Sequence, residues 1–185
     1  MKIDGREIAQ EILDSLQKTI APHLAIILVG DDPASKAYIG QKELKTKEIG
    51  AKTTTLNLSS NVSSEQLLKT IEQFNNDNNI HGIIVQRPLP AHIDDEAVTL
   101  AIDPKKDIDG LRPDSPYPMP IAEAVLKILS HLGWWQADPE QSRRRSHDSS
   151  EVNFISWLKT KHAVVIGKGK TGGGPVIEAL KKLGT

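Results

Sequence analysis

Residues 31–50 read DDPASKAYIGQKELKTKEIG. Asp32 followed by Pro33 marks a helix start: a side chain that caps free N–H groups, then a residue that needs none of its own. Within the helix Tyr38 and Lys42 are four apart, with Lys45 and Ile49 following, so all four lie along one face. An aromatic ring and two lysines make a poor core face. The spacing reads as the wall of a cleft, with the ring as a stacking surface and a lysine beside it as a proton carrier. The competing reading is a ring that packs and lysines that are solvated.

Working outward, residues 24–30, LAIILVG, form a short apolar run closing on glycine, which suits a strand covered on both faces. Before it, Asp4 and Glu7 suggest a capping box, Ile8, Ile12, Leu16 and Ile20 repeat every four, and Pro22 ends the helix. After it, KTTTLNL (52–58) reads as a strand, and Ser63 with Gln66 caps a helix bearing Leu67, Leu68, Ile71 and Phe74 on one face. NNDNN (75–79) reads as a loop, and HGIIVQRPLP (81–90) as a buried strand running into a proline-rigid turn. A weak helix is expected over 94–101. The alternation predicts an α/β fold: a parallel-sheet domain with helices on both faces. Ligands in such sheets gather at the carboxyl ends of the strands. That rule singles out GDDPAS, the Gln86–Pro90 turn and the loop KKDIDG.

From Pro120 the pattern Ile121, Ala124, Val125, Ile128, Leu129, Leu132 predicts a helix that Gly133 stops. Trp134 and Trp135 could pin its end, and residues 136–150 read as a mobile polar loop. EVNFISWLKTK predicts a short helix, HAVVIG (162–167) a strand, and GPVIEALKKLG a last helix. GKGKTG (167–172) matches GxGxxG between them, where a helix N-terminus reached through glycines can seat a pyrophosphate. A P-loop is excluded because Val164 stands where its first glycine must be; a glycine-rich turn that binds nothing stays open.

The 185 residues are 38% hydrophobic and 25% charged, with net charge −1, an ordinary globular balance with no basic field for nucleic acid. The run Arg143-Arg144-Arg145 reads as solvated loop. There are no cysteines, which rules out disulfides and a thiol nucleophile, and the histidines lack ligand spacing, so no metal is expected. No apolar signal core or membrane span is visible, so a cytoplasmic protein without a membrane partner is expected. Gln86, fixed by Pro88 and Pro90, can hold a lysine by hydrogen bond and orient it. Asp107 and Asp109 suggest acid–base work, but at i and i+2 in a turn they can point apart. One aspartate bonding an amino-pyrimidine edge is the alternative.

YIGQK after GDDPAS, then GIIVQRPLP, then PKKDIDG, then VVIGKGKTGGGP, in this order and spacing, resemble the bifunctional methylenetetrahydrofolate dehydrogenase/cyclohydrolase family, FolD. The resemblance runs from DGREIA through the last helix. It implies a folate-binding catalytic domain over 1–119, a linking helix and loop over 120–150, and the start of a Rossmann-type domain over 151–185. It further implies that Lys42 is the acid–base group, that Tyr38 stacks on the folate, that Gln86 holds Lys42, and that Asp109 binds the pterin amino edge. Pro88, Leu89 and Pro90 would line the folate site. Gly167, Lys168, Gly169, Gly172 and Gly173 would bind NADP, and the family is commonly homodimeric. Hydride would pass from methylene-tetrahydrofolate to NADP, and water would then open the methenyl ring.

The chain departs from the family at several points. SPYPMPIAEAV stands where a PCTP-like motif is usual, Lys168 and Gly169 replace an arginine and a serine, and Arg87 replaces an apolar residue in the QxPLP turn. Family members run on for roughly another half-domain. Residues 151–185 are therefore expected to be marginal or to rely on a partner, in a shortened chain or a truncated natural one. Two alternatives follow: a non-catalytic folate-binding or assembly module, or a cyclohydrolase alone. A lowered Lys42 pKa is expected from partial burial and a neighbouring cation, Lys45 being the candidate.

Overall fold

The computed structural model describes residues 3–16, 21–137 and 154–184, with side chains described only to His131 in the middle stretch. Leu13–Tyr117 form one compact unit; the described residues of Met1–Ile12 and Pro118–Thr185 form another.

In the first unit β1 (His23–Val29) is central, with β2 (Lys52–Leu58) on one side and β3 (Gly82–Val85) on the other. Both pairings are parallel, His23 opposite Lys52 and Leu24 opposite Gly82. Residues of β1 alternate between two cores. Ala25, Ile27 and Val29 pack with Leu67 and Ile71 of α3 (Ser64–Asn76) and Val98 of α4 (Asp95–Ala101). Ile26 and Leu28 pack with Ile39 of α2 (Pro33–Glu48). Helices thus cover both faces of the parallel sheet, as the unbroken apolar run of β1 requires.

Local signals set the helix starts. Asp32 accepts from the Ser35 N–H at 2.7 Å with Pro33 in the first turn. Ser63 and Gln66 form both halves of a capping box. At the other end of α3, Lys106 donates to the carbonyls of Phe74, Asn75 and Asp77 at 2.8–2.9 Å, satisfying acceptors that the helix leaves open. Gly82 is needed for close approach: a Cβ there would lie 2.8 Å from Ile108 Cγ2.

The second unit holds most of α1 (Gly5–Ser15), α5 (Pro120–Ala137), α6 over 154–158 and α7 (Gly173–Lys182). Phe154 and Leu158 pack with Val176 and Leu180, and Val125, Leu126 and Leu129 lie against them. Ile20 of the first predicted helix, and residues 138–150 of the predicted loop, lie outside the described residues.

Two expectations are corrected. Gly133 does not stop α5, which runs to Ala137. An interior glycine costs about 1 kcal/mol relative to alanine, too little to end a helix that other residues favour. HAVVIG is not a strand: 162–167 carry no ladder, and Val164 and Ile166 are 87% and 97% exposed. β-propensity makes a strand only where a neighbouring strand supplies hydrogen bonds, and none among the described residues does so there.

Leu67 is fully buried and Leu44 is 61% exposed. Leu67→Ala is expected to cost about 2–5 kcal/mol in urea unfolding and Leu44→Ala within about 0.5 kcal/mol, equal losses contradicting the core assignment.

Candidate active site

The buried positions of α2 are Ser35, Ile39 and Thr46, and half-buried Lys42 completes the 4-3-4 spacing of that stripe. Lys42 therefore leaves the helix toward the sheet instead of into water. Its Nζ donates to Gln86 Oε1 at 3.3 Å and lies 5.3 Å from the centre of the Tyr38 ring, within cation–π range. Tyr38, one turn earlier, is 64% exposed, so a ring face is open for stacking. Thr46 Oγ1 donates to the Lys42 carbonyl at 2.7 Å.

Gln86 arrives from the end of β3, where its own N–H donates to the Ile27 carbonyl at 2.8 Å and so continues the β1 ladder by one residue. Its Nε2 donates to the Arg87 carbonyl at 2.8 Å, which leaves Oε1 for Lys42. The Arg87–Pro88 peptide is cis. In the turn beyond, Pro88 is exposed, Leu89 packs on the larger core, and Pro90 is half-buried.

The two aspartates part company. Asp107 is fully buried, its Oδ2 accepting from the Arg112 N–H at 2.9 Å, and it bridges to Ile83 beside β3. It is a fold residue. Asp109 lies in the field of Lys42 and Arg87. Burial pushes its carboxyl above the usual carboxylate range; Lys42 and Arg87 pull it down, and Asp107 adds to the rise. Lys42 is held below the usual lysine range by burial, with Asp109 opposing. Lys45 plays no part in that shift, because it turns out to Glu48 at 2.6 Å and is itself exposed. Of the two expected causes, burial lowers the pKa and the neighbouring cation takes no part. The folded chain then carries fewer protons on Lys42 than the unfolded chain, so this residue's contribution to stability rises with pH between its depressed and ordinary pKa.

Ser35 and Arg87 were not predicted as site residues. Ser35 is buried and donates to the Arg87 carbonyl at 3.4 Å. The 35-39-42-46 spacing carries that signal, but serine and threonine do not stand out as a core stripe.

In the other unit, Gly167, Lys168, Gly169, Gly172 and Gly173 form the turn into α7. Gly167 has φ +100°, and a Cβ on Gly173 would lie 2.1 Å from the Gly167 carbonyl oxygen. The α7 start has no side-chain cap, and Lys168 and Lys170 are exposed beside it. A turn closed to side chains, at an uncapped helix N-terminus with cations nearby, fits a phosphate group. Among the described residues no acid or histidine cluster is suited to a metal, and no helix is long and apolar enough to cross a membrane.

A family model described as tetrahydrofolate dehydrogenase/cyclohydrolase, catalytic domain, matches residues 3–109. The bifunctional protein FolD of Streptococcus pyogenes serotype M5 is 39% identical over 96% of the chain, which spans 61% of that relative's length. The crystal structure of the bifunctional methylenetetrahydrofolate dehydrogenase/cyclohydrolase from Campylobacter jejuni aligns with TM-score 0.74 at 30% identity, over 98% of this chain and 60% of that one. The corresponding Trypanosoma brucei enzyme, described in complex with NADP cofactor and inhibitor, aligns at TM-score 0.70 and 26% identity over 99% of this chain and 61% of its own.

Because Asp109 is the group that raises the Lys42 pKa, Asp109→Asn is expected to lower it further. A 13C NMR titration of the Lys42 side chain checks this; an unchanged midpoint would show that the two do not interact, and a higher one would contradict the sign of the interaction.

Proposed function

The chain belongs to the tetrahydrofolate dehydrogenase/cyclohydrolase family, and on that footing we propose that it acts on folate-bound one-carbon units, with Lys42 moving the proton. The supporting observation is the held and desolvated amine: Nζ on Gln86 Oε1 at 3.3 Å, with burial depressing its pKa. An ordinary lysine, with a pKa of about 10.4, is almost wholly protonated at neutral pH and a poor base. Burial raises the neutral fraction, and the hydrogen bond to Gln86 Oε1 holds the nitrogen in place.

In the cyclohydrolase step, water adds to the methenyl carbon of methenyl-tetrahydrofolate. Lys42 takes the proton the water loses. As the carbon–N5 bond breaks, the new hydroxyl loses its proton to solvent and becomes the formyl oxygen, and Lys42 returns its proton to N5, leaving 10-formyl-tetrahydrofolate with one proton released overall. Tyr38 offers its exposed ring to the folate, and Asp109, held near Lys42, takes the pterin amino edge. Pro88, Leu89 and Pro90 form the stiff side of the same place.

NADP, when bound, supplies the hydride acceptor for oxidising methylene- to methenyl-tetrahydrofolate. Gly167, Lys168, Gly169, Gly172 and Gly173 would hold its phosphate. NADP in preference to NAD rests on the Trypanosoma brucei relative. A chain with cyclohydrolase activity alone is the second reading, favoured by the unpaired segment 162–167. A catalytic domain over 1–119, followed by the start of a nucleotide domain over 151–185, belongs to the same proposal. So do a cytoplasmic location and a homodimer. Sedimentation equilibrium at a single chain mass would remove the homodimer.

Methenyl-tetrahydrofolate hydrolysis, followed by absorbance, is expected to fall at least about 100-fold in Lys42→Met. Binding of a folate analogue should change only a few-fold. A variant as fast as the parent chain would remove Lys42 from the chemistry. Saturable NADPH formation from methylene-tetrahydrofolate separates the full reading from cyclohydrolase alone.

A further inference from the structure

The Arg87 side chain has no role in the chemistry above, yet all three of its guanidinium nitrogens are held. Its Nε donates to Asp95 Oδ1 at 2.8 Å and one terminal nitrogen to Thr99 Oγ1 at 2.9 Å. The other terminal nitrogen reaches the Val85 carbonyl. Asp95 and Thr99 are one turn apart on α4, and Thr99 Oγ1 is in turn tied to the Asp95 carbonyl at 2.8 Å. The guanidinium therefore staples the turn after β3 both to its own strand and to the first turns of α4.

What the staple fixes is the Arg87 backbone carbonyl. That oxygen accepts from Gln86 Nε2 at 2.8 Å and from Ser35 Oγ at 3.4 Å. A carboxamide has one oxygen and one nitrogen, so engaging Nε2 decides that Oε1 faces Lys42. With the carbonyl displaced, the amide is free to turn and present N–H groups to an ammonium, which is repulsive.

We propose that Arg87 is a positioning residue for the Lys42 site: its side chain, clamped on Asp95, Thr99 and the Val85 carbonyl, holds the carbonyl that orients Gln86 toward Lys42. The inference rests on the reading of Lys42 as the proton-transfer group, and extends it to a residue whose side-chain bonds go to Asp95, Thr99 and the Val85 carbonyl instead of to Lys42. The clamp needs a fork with several fixed donors. Lysine keeps the charge but loses the fork.

The test uses the full chain with Arg87→Lys, Gln86→Ala and the double variant, each checked by thermal melting. There are two readouts: kcat and KM for methenyl-tetrahydrofolate hydrolysis, and the NMR titration of Lys42, which needs no turnover. Arg87→Lys is expected to lower kcat about tenfold with KM within about twofold. It should also shift the Lys42 midpoint further down, since the charged amine loses its oxygen acceptor. On the Gln86→Ala background both effects should vanish, because the residue Arg87 acts through is gone.

A kcat and a titration equal to the parent chain's in Arg87→Lys would overturn the proposal. So would the same losses with Gln86 already removed, which would mark Arg87 as a merely structural residue. If Arg87→Lys does not fold, Asp95→Asn loosens the clamp from its exposed end and takes its place in the same comparison. If the parent chain shows no hydrolysis, the reading of Lys42 as catalyst falls, while the Lys42 titrations across the variants still decide whether Arg87 positions Gln86.

Discussion

Lys42 and Gln86 lie 44 residues apart and meet because β1 and β3 run parallel with Ile27 opposite Val85. That register brings the end of β1, where the chain turns into α2, to the same edge of the sheet as the end of β3, where it turns through Gln86. The Gln86 N–H bond to the Ile27 carbonyl extends the ladder one residue beyond the strand. The bridge from Ile83 to Asp107 adds a third segment, placing Asp109 two residues further on. A one-residue slip of β3 would turn its alternate side chains to the wrong face and move Gln86 away from Lys42.

Within that frame the site is a balance of unfavourable and favourable terms on one amine. Placing Lys42 on the helix stripe that packs toward the sheet strips water from an ammonium, which by itself disfavours the charged form. The Gln86 oxygen and the Tyr38 ring face the amine and Asp109 opposes the effect of burial, and the Lys42 pKa stays lowered. Asp109 is drawn the opposite way, by burial upward and by two cations downward. Asp107, two residues from Asp109, accepts the Arg112 N–H through Oδ2 and so ties down the loop, while its buried Oδ1 has no hydrogen-bond partner among the described residues.

Much of this was legible in the sequence where the signal was local. Asp32-Pro33 and Ser63 with Gln66 announce their helices because capping involves residues three apart. The apolar run of β1 announces a strand covered on both sides. Tyr38, Lys42, Gln86 and Asp109 could be singled out by residue type and by resemblance, and the fold gathers them in one unit. What stayed hidden depends on distant partners. HAVVIG has the composition of a strand and, among the described residues, no neighbour that would make it one. Lys45 shares a helical face with Lys42, yet it finds Glu48 one turn on. Arg87 looked like a mere departure in a turn, since Asp95 and Thr99, its partners, lie on another element. Gly133 is a weak stop, overruled by the helix around it.

The most direct single measurement is the reactivity of Lys42 toward an amine-acylating reagent, resolved by peptide mass and followed across pH with and without a folate analogue. The expected result is a reactivity midpoint below that of the exposed Lys45, together with protection of Lys42 by the analogue. A midpoint equal to that of Lys45, with no protection, would contradict a desolvated proton-transfer lysine at a folate site.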